Sequence, residues 1–419
     1  MSEKQAAEKQ AAEKSRAEKP TAEKPLAGLK VVEMSTMITC SLAAMMMRSQ
    51  GAEVVKVEPV LIGDPMRFVG SMKNGQSALF HNCNRGKRSL AIDLKHQNGI
   101  EAVKRLAAQA DVMLNNYRPG VMDGLGLGPD IVRGVNPRLV NVAVTGFGTV
   151  GPMASRPAYD HVIQGISGLT GMQGGDYGGD SEYDFIKMLI CDKVTAYTVA
   201  QAATAALVAR ASTGEGQHID ISMLHACLAF MWPDGMMGHT LLDDDVIDMP
   251  PMSESYQILN TKDGAIAATA LTDGHWDAIL KLIKREDLKT DARFASLPAR
   301  MMNLPEIMQM LKAGVADLSL AEVMSAFEAA DIPSTQCETR NTLTSNEQVQ
   351  AIGALETYVT ENMGRLTAPT PPALFAGAAT SLAAPSPSHG QHSSAIMQEL
   401  GFAANEVETM VQEGALLCS

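Results

Sequence analysis

Apolar runs typical of strands alternate with helical stretches from Leu26 onward, and this alternation constrains the fold more than any other feature. "LKVVEMS" is typical of a buried strand, "CSLAAMMMRSQ" of a helix ending at Gly51, and "AEVVKVEP" of a second strand. Glycine suits the left-handed position that follows a helix. The strands "RSLAIDL", "DVMLNN" and "LVNVAVTGF" continue the pattern, with the helix "GIEAVKRLAAQA" after the first of them. Repeated βαβ units predict an α/β fold with a mostly parallel sheet and helices on both faces.

Changes in composition divide the chain into five parts. Residues 1–25 repeat Ala-Glu-Lys with a period of five, which places no apolar stripe on a helix and predicts a solvated tail. Residues 26–235 hold the βαβ pattern of a large domain, and residues 236–253 are a linker rich in Gly, Pro and acidic residues. Two short strands and several amphipathic helices in residues 254–345 predict a smaller α+β domain. Residues 346–419 end in a helical pair and are predicted to return to the large domain.

Charge, cysteine spacing and hydropathy exclude several kinds of partner and site. A net charge of −13 leaves no basic face for nucleic acid. The six cysteines are scattered, without a CxxC pair or zinc spacing, so we expect neither a disulfide framework nor a metal site, as in a reducing cytoplasm. No uncharged apolar run reaches the roughly 18 residues that span a bilayer, and no signal-peptide core is present. We therefore expect a cytoplasmic protein that does not enter a membrane.

Polar residues follow several predicted strands, where ligands bind in parallel sheets. Guanidinium groups bind phosphate bidentately and a tyrosine wall can hold a base, so these positions suit a nucleotide with several phosphates. The alternative is that they are solvated loop charges and a tyrosine packed at a strand end. No GxGxxG or P-loop motif is present, so no dinucleotide site of that kind is predicted. The positions are Glu58, Gly63, Asp64, Arg67, Arg85, Lys87, Arg88, Lys95, Asn116, Tyr117 and Arg118.

Two other kinds of segment admit more than one interpretation. "GMQGGDYGGD", residues 171–180, predicts a flexible surface loop, with a lid as the alternative. Paired or tripled methionines at 45–47, 236–237 and 301–302 are adaptable enough to line an apolar acyl pocket, with ordinary core packing as the alternative.

Asp192 interrupts the apolar stretch "IKMLICDKVTAYTVA" immediately before a predicted helix over residues 193–210. Aspartate is among the best N-cap residues, which predicts a structural cap. The N–H groups and dipole of the helix would also keep a carboxylate ionised there. An ionised, poorly solvated carboxylate is a good nucleophile, so capping and chemistry are compatible.

The order of motifs from about residue 26 to 413 resembles the class III CoA-transferase (CaiB/BaiF) family, which includes formyl-CoA transferase, carnitine CoA-transferase and the α-methylacyl-CoA racemases. The segments that carry the resemblance are "PLAGLKVVEMS", "GAEVVKVEPV", "NRGKRSLAIDLK", "NNYRPGVMDGLGLG", "RPAYDHVIQGISGLTG", "TGEGQHIDISML" and "SHGQHSSAIMQELGF". It implies a Rossmann-like large domain built from both ends of the chain, a small inserted domain, and a homodimer of interlocked subunits.

The resemblance also implies an activity: coenzyme A moves from an acyl-CoA donor to a carboxylic acid through an aspartyl anhydride and an aspartyl-CoA thioester. The nucleophile falls on Asp192. Coenzyme A, as substrate, is expected to be the only cofactor, without a metal. Contacts with coenzyme A or substrate are expected at Met37, Ile92, Lys95, Asn116, Tyr117, Arg118, Tyr159 and Met223, and Arg88 and Arg156 are further phosphate partners on grounds of charge.

Two segments depart from the family pattern. Thr39, Cys40 and Ser41 replace an Ala-Gly-Pro stretch after Ile38, which stands where formyl-CoA transferase has glutamine, and Gly124 replaces a CoA-binding arginine of some members. One alternative suggested by these changes is a relative that binds coenzyme A without turnover.

A second alternative is racemisation or isomerisation at the α-carbon of an acyl-CoA. The racemases place a histidine where this chain has Tyr159, and that histidine shares proton transfer with the aspartate equivalent to Asp192. A tyrosine with an ordinary pKa of ~10 is a poor base at neutral pH. His161 is close in sequence but points elsewhere on a helix. CoA transfer is therefore the preferred prediction.

Overall fold

Two compact units make up the chain in the computed structural model, which describes residues 22–175, 183–247, 257–378 and 381–419. The first unit combines the described part of Met1–Phe230 with Glu347–Ser419, and the second unit is Met231–Asn346. The predicted tail falls mostly on residues outside the described ones. The domain limits predicted above, and the roles attached to them, stay a prediction.

The strands of the described residues are numbered in chain order. They are β1 (Lys30–Met34), β2 (Glu53–Glu58), β3 (Met72–Lys73), β4 (Gln76–Ser77), β5 (Arg88–Ile92), β6 (Val112–Asn115), β7 (Val140–Thr145), β8 (His218–Ser222), β9 (Ile258–Asn260), β10 (Ala265–Ala268), β11 (Ser334–Gln336), β12 (Leu355–Thr360), β13 (Gly364–Pro369) and β14 (Leu416–Leu417).

The helices of the described residues are numbered in the same way. They are α1 (Thr39–Ser49), α2 (Ala78–Asn84), α3 (Gln97–Gln109), α4 (Val121–Gly124), α5 (Pro129–Val135), α6 (Asp160–Ser167), α7 (Leu169–Gly174), α8 (Ile190–Thr213), α9 (Met223–Gly235), α10 (Asp273–Leu282), α11 (Leu297–Met302), α12 (Leu304–Val315), α13 (Leu320–Ala329), α14 (Glu347–Ala351), α15 (Ser393–Glu399) and α16 (Ala404–Gln412).

A seven-stranded sheet in the order β14-β5-β2-β1-β6-β7-β8 forms the centre of the first unit. All neighbours are parallel except β14, which pairs antiparallel with β5 and places Leu416 opposite Ile92. The predicted α/β fold with a mostly parallel sheet is confirmed. The inner strand β6 (VMLN) is buried along its whole length, as expected for a parallel sheet covered on both faces.

The end of the chain completes the core of the first unit. Ile396 and Met397 of α15 and Val407 and Met410 of α16 belong to the same buried cluster as Leu90 of β5. The serine hydroxyl of Ser393 accepts a hydrogen bond of 3.0 Å from the backbone N–H of Ala91. Residues more than 300 positions apart therefore share one hydrophobic core.

The second unit has its own small sheet and its own core. Strands β9, β10 and β11 form an antiparallel sheet in the order β11-β10-β9. Trp276, Ile279, Phe294 and Phe327 are buried together beside this sheet, with α10, α12 and α13 contributing to the cluster. The longest apolar side chains of the amphipathic helices supply this core.

Local predictions from the sequence have mixed outcomes. Gly51 follows α1 with a φ of 111°, so the predicted left-handed residue is confirmed. Residues 171–174, predicted to begin a surface loop, are instead helical in α7, and residues 176–180 lie outside the described ones. None of the helices in the described ranges has both the length and the apolar character needed to cross a bilayer.

Candidate active site

The turn between β1 and α1 lies at the carboxyl edge of the sheet and is held by two side chains from neighbouring strands. Asn116, after β6, accepts a hydrogen bond from Thr36 N–H (3.1 Å) and donates one to Thr36 O (2.7 Å). Asp64 accepts one from Met37 N–H (3.1 Å). Met37 has a φ of 63°, a left-handed conformation that is strained for a side chain other than glycine. The predicted substrate contacts Met37 and Asn116 are thus brought together in one rigid turn.

A buried ionic network lies beneath this turn. The Lys56 ammonium is 2.6 Å from Glu33 Oε1 and 2.9 Å from Asp64 Oδ2, and the Lys87 ammonium is 2.6 Å from Glu33 Oε2. All four side chains are fully buried. Burial opposes ionisation of Glu33, but Lys56 and Lys87 hold the pKa of that carboxyl well below its usual range. The network carries two positive and two negative charges and fixes Asp64 under Met37.

The predicted roles of the charged residues after the strands are partly wrong. Asp64 and Lys87 belong to the network just described, and Arg67 forms two hydrogen bonds, of 2.9 and 2.7 Å, with the Glu58 carboxylate. These side chains are buried, so they are not solvated loop charges, and their charges are matched within the protein. Arg88 faces outward and is paired with Glu399 at 2.7 Å.

Asp192 lies in the first turn of α8, as its third residue, and not at the N-cap position. The helix begins at Ile190, the N-cap residue is Leu189, and no side chain in that position caps the helix. The capping prediction is therefore wrong, because the helix starts three residues earlier than the break in apolar pattern indicated. The Asp192 side chain is 9% exposed.

A second buried carboxylate, Asp160, holds the start of α8 from the first residue of α6. Asp160 Oδ2 accepts a hydrogen bond of 2.9 Å from Asp192 N–H, and Oδ1 accepts one of 2.7 Å from Gln164 Nε2. Gln164 also donates to Ile186 O and Met188 O, both at 3.2 Å, and accepts from Ile186 N–H at 3.0 Å. Asp160 and Gln164 thus tie the segment before α8 to α6.

Burial, and after it the Asp160 carboxylate, raise the pKa of Asp192 to about 7, while Lys193 opposes the change. The helix terminus was expected to keep this carboxylate firmly ionised, and that prediction is wrong. Loss of hydration and a like charge outweigh the helix dipole here, whose effect is typically below ~1 kcal/mol at an exposed site. A carboxylate with a pKa near 7 is more basic than ordinary aspartate and is weakly solvated.

Apolar side chains from the β1–α1 turn reach the segment that precedes Asp192. Ile38 is buried with Met66 and Phe80, and both Met37 and Leu189 pack against this cluster. The turn and the start of α8 therefore share one apolar wall.

The end of β7 approaches α6 and the start of α9 closely. A Cβ atom at Gly146 would lie 2.2 Å from the Ala158 Cβ, so only glycine fits there. Gly146 O accepts a hydrogen bond of 3.0 Å from Leu224 N–H, which fixes the buried Met223 beside this strand end. Tyr159, next to Ala158, is 61% exposed, and its ring stacks on that of His161 with centroids 6.4 Å apart.

The remaining predicted contacts are spread along the carboxyl edge of β5 and β6. Ile92 is fully buried in the core, so its side chain is not free for a ligand. Tyr117 is partly buried against the same core. Lys95, Arg118 and Arg156 are exposed.

Sequence reasoning did not single out Asp160 and Gln164 as partners of Asp192. The signal that was present is their spacing of four residues, which places two side chains on the same face of a helix. Among the described residues, no three His, Cys, Asp or Glu side chains are grouped as a metal ion would require.

Comparison with known proteins gives consistent matches over most of the chain. The model of CoA-transferase family III matches residues 26–393. Succinate–glutarate CoA-transferase of Agrobacterium fabrum is 28% identical over 384 residues, covering 89% of this chain and 95% of the relative. (R)-2-hydroxy-4-methylpentanoate CoA-transferase of Clostridioides difficile is 25% identical, covering 90% and 95%. The crystal structure of a CaiB/BaiF family protein from Brucella suis matches with a TM-score of 0.77 and 29% identity, covering 90% of this chain and 100% of that one.

Proposed function

The chain belongs to CoA-transferase family III, and on that premise we propose that it moves coenzyme A from an acyl-CoA to a carboxylic acid with Asp192 as the nucleophile. The observation that carries this proposal is the buried Asp192 carboxylate at the start of α8, whose pKa is raised to about 7. Family members use CoA thioesters as substrates, so acyl-CoA and a free acid are the two reactants.

Four acyl transfers complete the proposed reaction. An Asp192 oxygen attacks the thioester carbonyl and expels CoA thiolate, which leaves an acyl-aspartyl anhydride. The thiolate then attacks the aspartyl carbonyl, forms a CoA thioester on Asp192 and releases the donor acid as its carboxylate. The acceptor carboxylate attacks this thioester, which forms a second anhydride on Asp192 and expels CoA thiolate. The thiolate then attacks the acceptor acyl carbonyl of that anhydride. The products are the acceptor's CoA ester and free Asp192, so no proton is gained or lost overall.

The placement of the other residues supports binding of coenzyme A at the same edge of the sheet. We propose contacts from the strained Met37 turn, from Asn116 and Tyr117 after β6, and from Met223 at the start of α9. Exposed Lys95 and Arg118 are placed to meet phosphate groups, because they lie at the ends of β5 and β6. For Ile92, only a main-chain contact agrees with its burial. Tyr159 is exposed beside Asp160 and is available to a substrate.

Trapping of the acyl enzyme tests the proposal. The protein incubated with an acyl-CoA donor and no acceptor acid, then treated with hydroxylamine, should carry a hydroxamate on the peptide that contains Asp192. Borohydride should reduce the CoA thioester on Asp192 to an alcohol. Mass spectrometry locates the modification. An unmodified Asp192 in a preparation that transfers coenzyme A would contradict the proposal.

The ionisation of Asp192 predicts how the rate depends on pH. Because only the ionised carboxylate attacks, kcat/KM should rise about tenfold per pH unit below pH 7 and level off above it. Asp160→Asn removes the like charge while keeping an oxygen that can accept from Asp192 N–H, so the midpoint should move to lower pH. Asp184→Asn, at an exposed position, should leave the profile unchanged. An unshifted midpoint in Asp160→Asn would show that Asp160 does not set the pKa of Asp192.

The residue at the position of the racemase histidine does not favour the racemase alternative. A two-base mechanism needs a second proton acceptor opposite Asp192, and the exposed Tyr159 ring stacks on His161. Deuterium entering the α-carbon of an acyl-CoA in deuterated water without an acceptor acid would restore that alternative. Tight binding of coenzyme A without any exchange would instead favour a non-catalytic relative.

We also propose a homodimer of interlocked subunits. The segment around the end of α9 exposes several large apolar side chains, which a partner would cover. Molar mass from light scattering and slow exchange between tagged and untagged subunits test this arrangement. The exposed side chains are Phe230, Trp232, Leu241, Leu242 and Ile247.

A further inference from the structure

A cavity of about 860 Å³ lies in the first unit between α1, the end of α2, the middle of α8 and residues 369–378. Its walls are mostly apolar and include Met45, Met46, Tyr197 and Phe375. The volume lies within the ~300–1,000 Å³ of typical small-molecule sites. Of the methionines that the sequence suggested as lining of an acyl pocket, those at 45–47 line this cavity, and those at 236–237 and 301–302 do not.

This cavity and Asp192 lie on different faces of α8. Tyr197 follows Asp192 by five residues, which at 100° per residue places the two side chains ~140° apart around the helix. Asp192 is 9% exposed, whereas Tyr197 is 60% exposed. A molecule bound against Tyr197 would therefore not contact the proposed nucleophile.

The charged residues that line the cavity are all cationic. Lys24 and Arg85 contribute to its wall, and no aspartate or glutamate does so among the described residues. The Lys24 ammonium donates to two carbonyl oxygens, Ser49 O at 3.0 Å and Ser381 O at 3.1 Å, which do not neutralise its charge. This excess of positive charge stands out in a chain with a net charge of −13.

The guanidinium of Arg85 is buried and only partly matched. Its Nη2 donates to Pro369 O at 3.2 Å, but its Nε and Nη1 have no hydrogen-bond partner among the described residues. The nearest carboxylate, that of Glu356, is 4.0 Å from Nη1. Burial, followed by the neighbouring Arg48 guanidinium, lowers the pKa of Lys24, while Glu356 opposes this change. An anion placed beside Lys24 would offset the repulsion that Arg48 exerts on it.

We propose that this cavity is a second binding site, separate from the catalytic aspartate, for an amphipathic carboxylate such as a medium-chain fatty acid. The carboxylate lies toward the Lys24 ammonium, which can donate a charge-assisted hydrogen bond, and within reach of the positive charge of the buried Arg85. The hydrocarbon chain lies along Met45, Met46 and Phe375, where adaptable side chains accept an apolar surface.

Calorimetric titration of the full-length protein with decanoate tests the site. We expect saturable binding that an excess of coenzyme A does not displace. Ala200→Phe places a phenyl ring in the space that the hydrocarbon chain would occupy and should weaken decanoate binding by about tenfold or more. Ala205→Phe is the matched control: Ala205 is exposed on the same helix and outside the cavity. It should bind decanoate as the unmodified protein does.

A second pair of variants tests recognition of the charge. Lys24→Met should weaken decanoate binding by about tenfold, as expected for loss of one charge-assisted contact, and should leave decanol binding unchanged. Lys30→Met, at an exposed lysine on β1, is the control and should change neither decanoate binding nor decanol binding. Equal affinities in Ala200→Phe and Ala205→Phe, displacement of decanoate by coenzyme A, or a fall to monomer mass in Ala200→Phe would each overturn the proposal. The last result would assign the cavity to a contact between two copies of the chain.

Discussion

Replacing Asp192 with asparagine is expected to lower kcat/KM for CoA transfer by roughly 10⁴-fold or more, because an amide cannot form the anhydride or the thioester. Initial rates of the variant and the unmodified protein are compared with one acyl-CoA donor and one acceptor acid. The CoA esters are separated to quantify the product. Asp184→Asn is the control, since Asp184 is an exposed carboxylate eight residues away. Retention of more than a tenth of the activity in Asp192→Asn would remove Asp192 from the mechanism.

The same substitution should make the protein more stable, which separates loss of chemistry from loss of folding. The pKa of Asp192 rises on folding from 3.8 to about 7. Between these values the unfolded chain releases a proton that the folded chain keeps, so ionisation increasingly favours unfolding as pH rises through this window. The asparagine in Asp192→Asn does not ionise, so the stability of this variant is not lowered in this way. Its gain in the free energy of unfolding should be about 2.6 kcal/mol larger at pH 8 than at pH 5, measured by urea denaturation.

Replacing Lys56 with methionine is expected to lower the free energy of unfolding by roughly 3–5 kcal/mol. The change removes the Lys56 ammonium, which lies 2.9 Å from the buried Asp64 carboxylate. It also leaves Lys87 as the only ion-pair partner of Glu33. Uncompensated buried charges of this kind are costly even when the original ion pair contributes little by itself. Urea denaturation at neutral pH measures the difference.

Lys30→Met serves as the comparison for that variant, because Lys30 is exposed on β1 of the same sheet. It should change the free energy of unfolding by less than about 0.5 kcal/mol. If the two variants unfold at the same urea concentration, the network does not support the fold. A loosened network should also release Asp64 from Met37, so a stable Lys56→Met protein should bind coenzyme A more weakly.

The central sheet could be predicted because strand-like patterns alternate with helical stretches along the first part of the chain. The hairpin of β12 and β13 could not be, since its residues 355–369 are half exposed and show no apolar face in the sequence. Strand β14 has only two residues and depends on pairing with β5. Its antiparallel direction follows from the path of the whole C-terminal segment and not from its own composition.

The position of the proposed nucleophile followed from the sequence, whereas the electrostatics around it did not. Asp192 was identified from its place among the family motifs. Its high pKa depends first on burial and then on the carboxylate of Asp160, which is 32 residues away in the sequence and joins it only through the folding of α6. Glu33, Lys56 and Lys87 are likewise far apart in the sequence and meet only in the folded protein, so their pairing produces no local sequence pattern. Charged residues at strand ends were therefore open to interpretation as solvated loop charges.

The position of β14 has a consequence for the order in which the ribosome makes the two units. Met231–Asn346 is complete in the growing chain before α15, α16 and β14 of the first unit have been translated. Until Leu416 emerges, β5 keeps an unpaired edge and part of the apolar core stays open to water. The second unit can therefore reach its native fold while the first, although begun earlier, is still a target for chaperones.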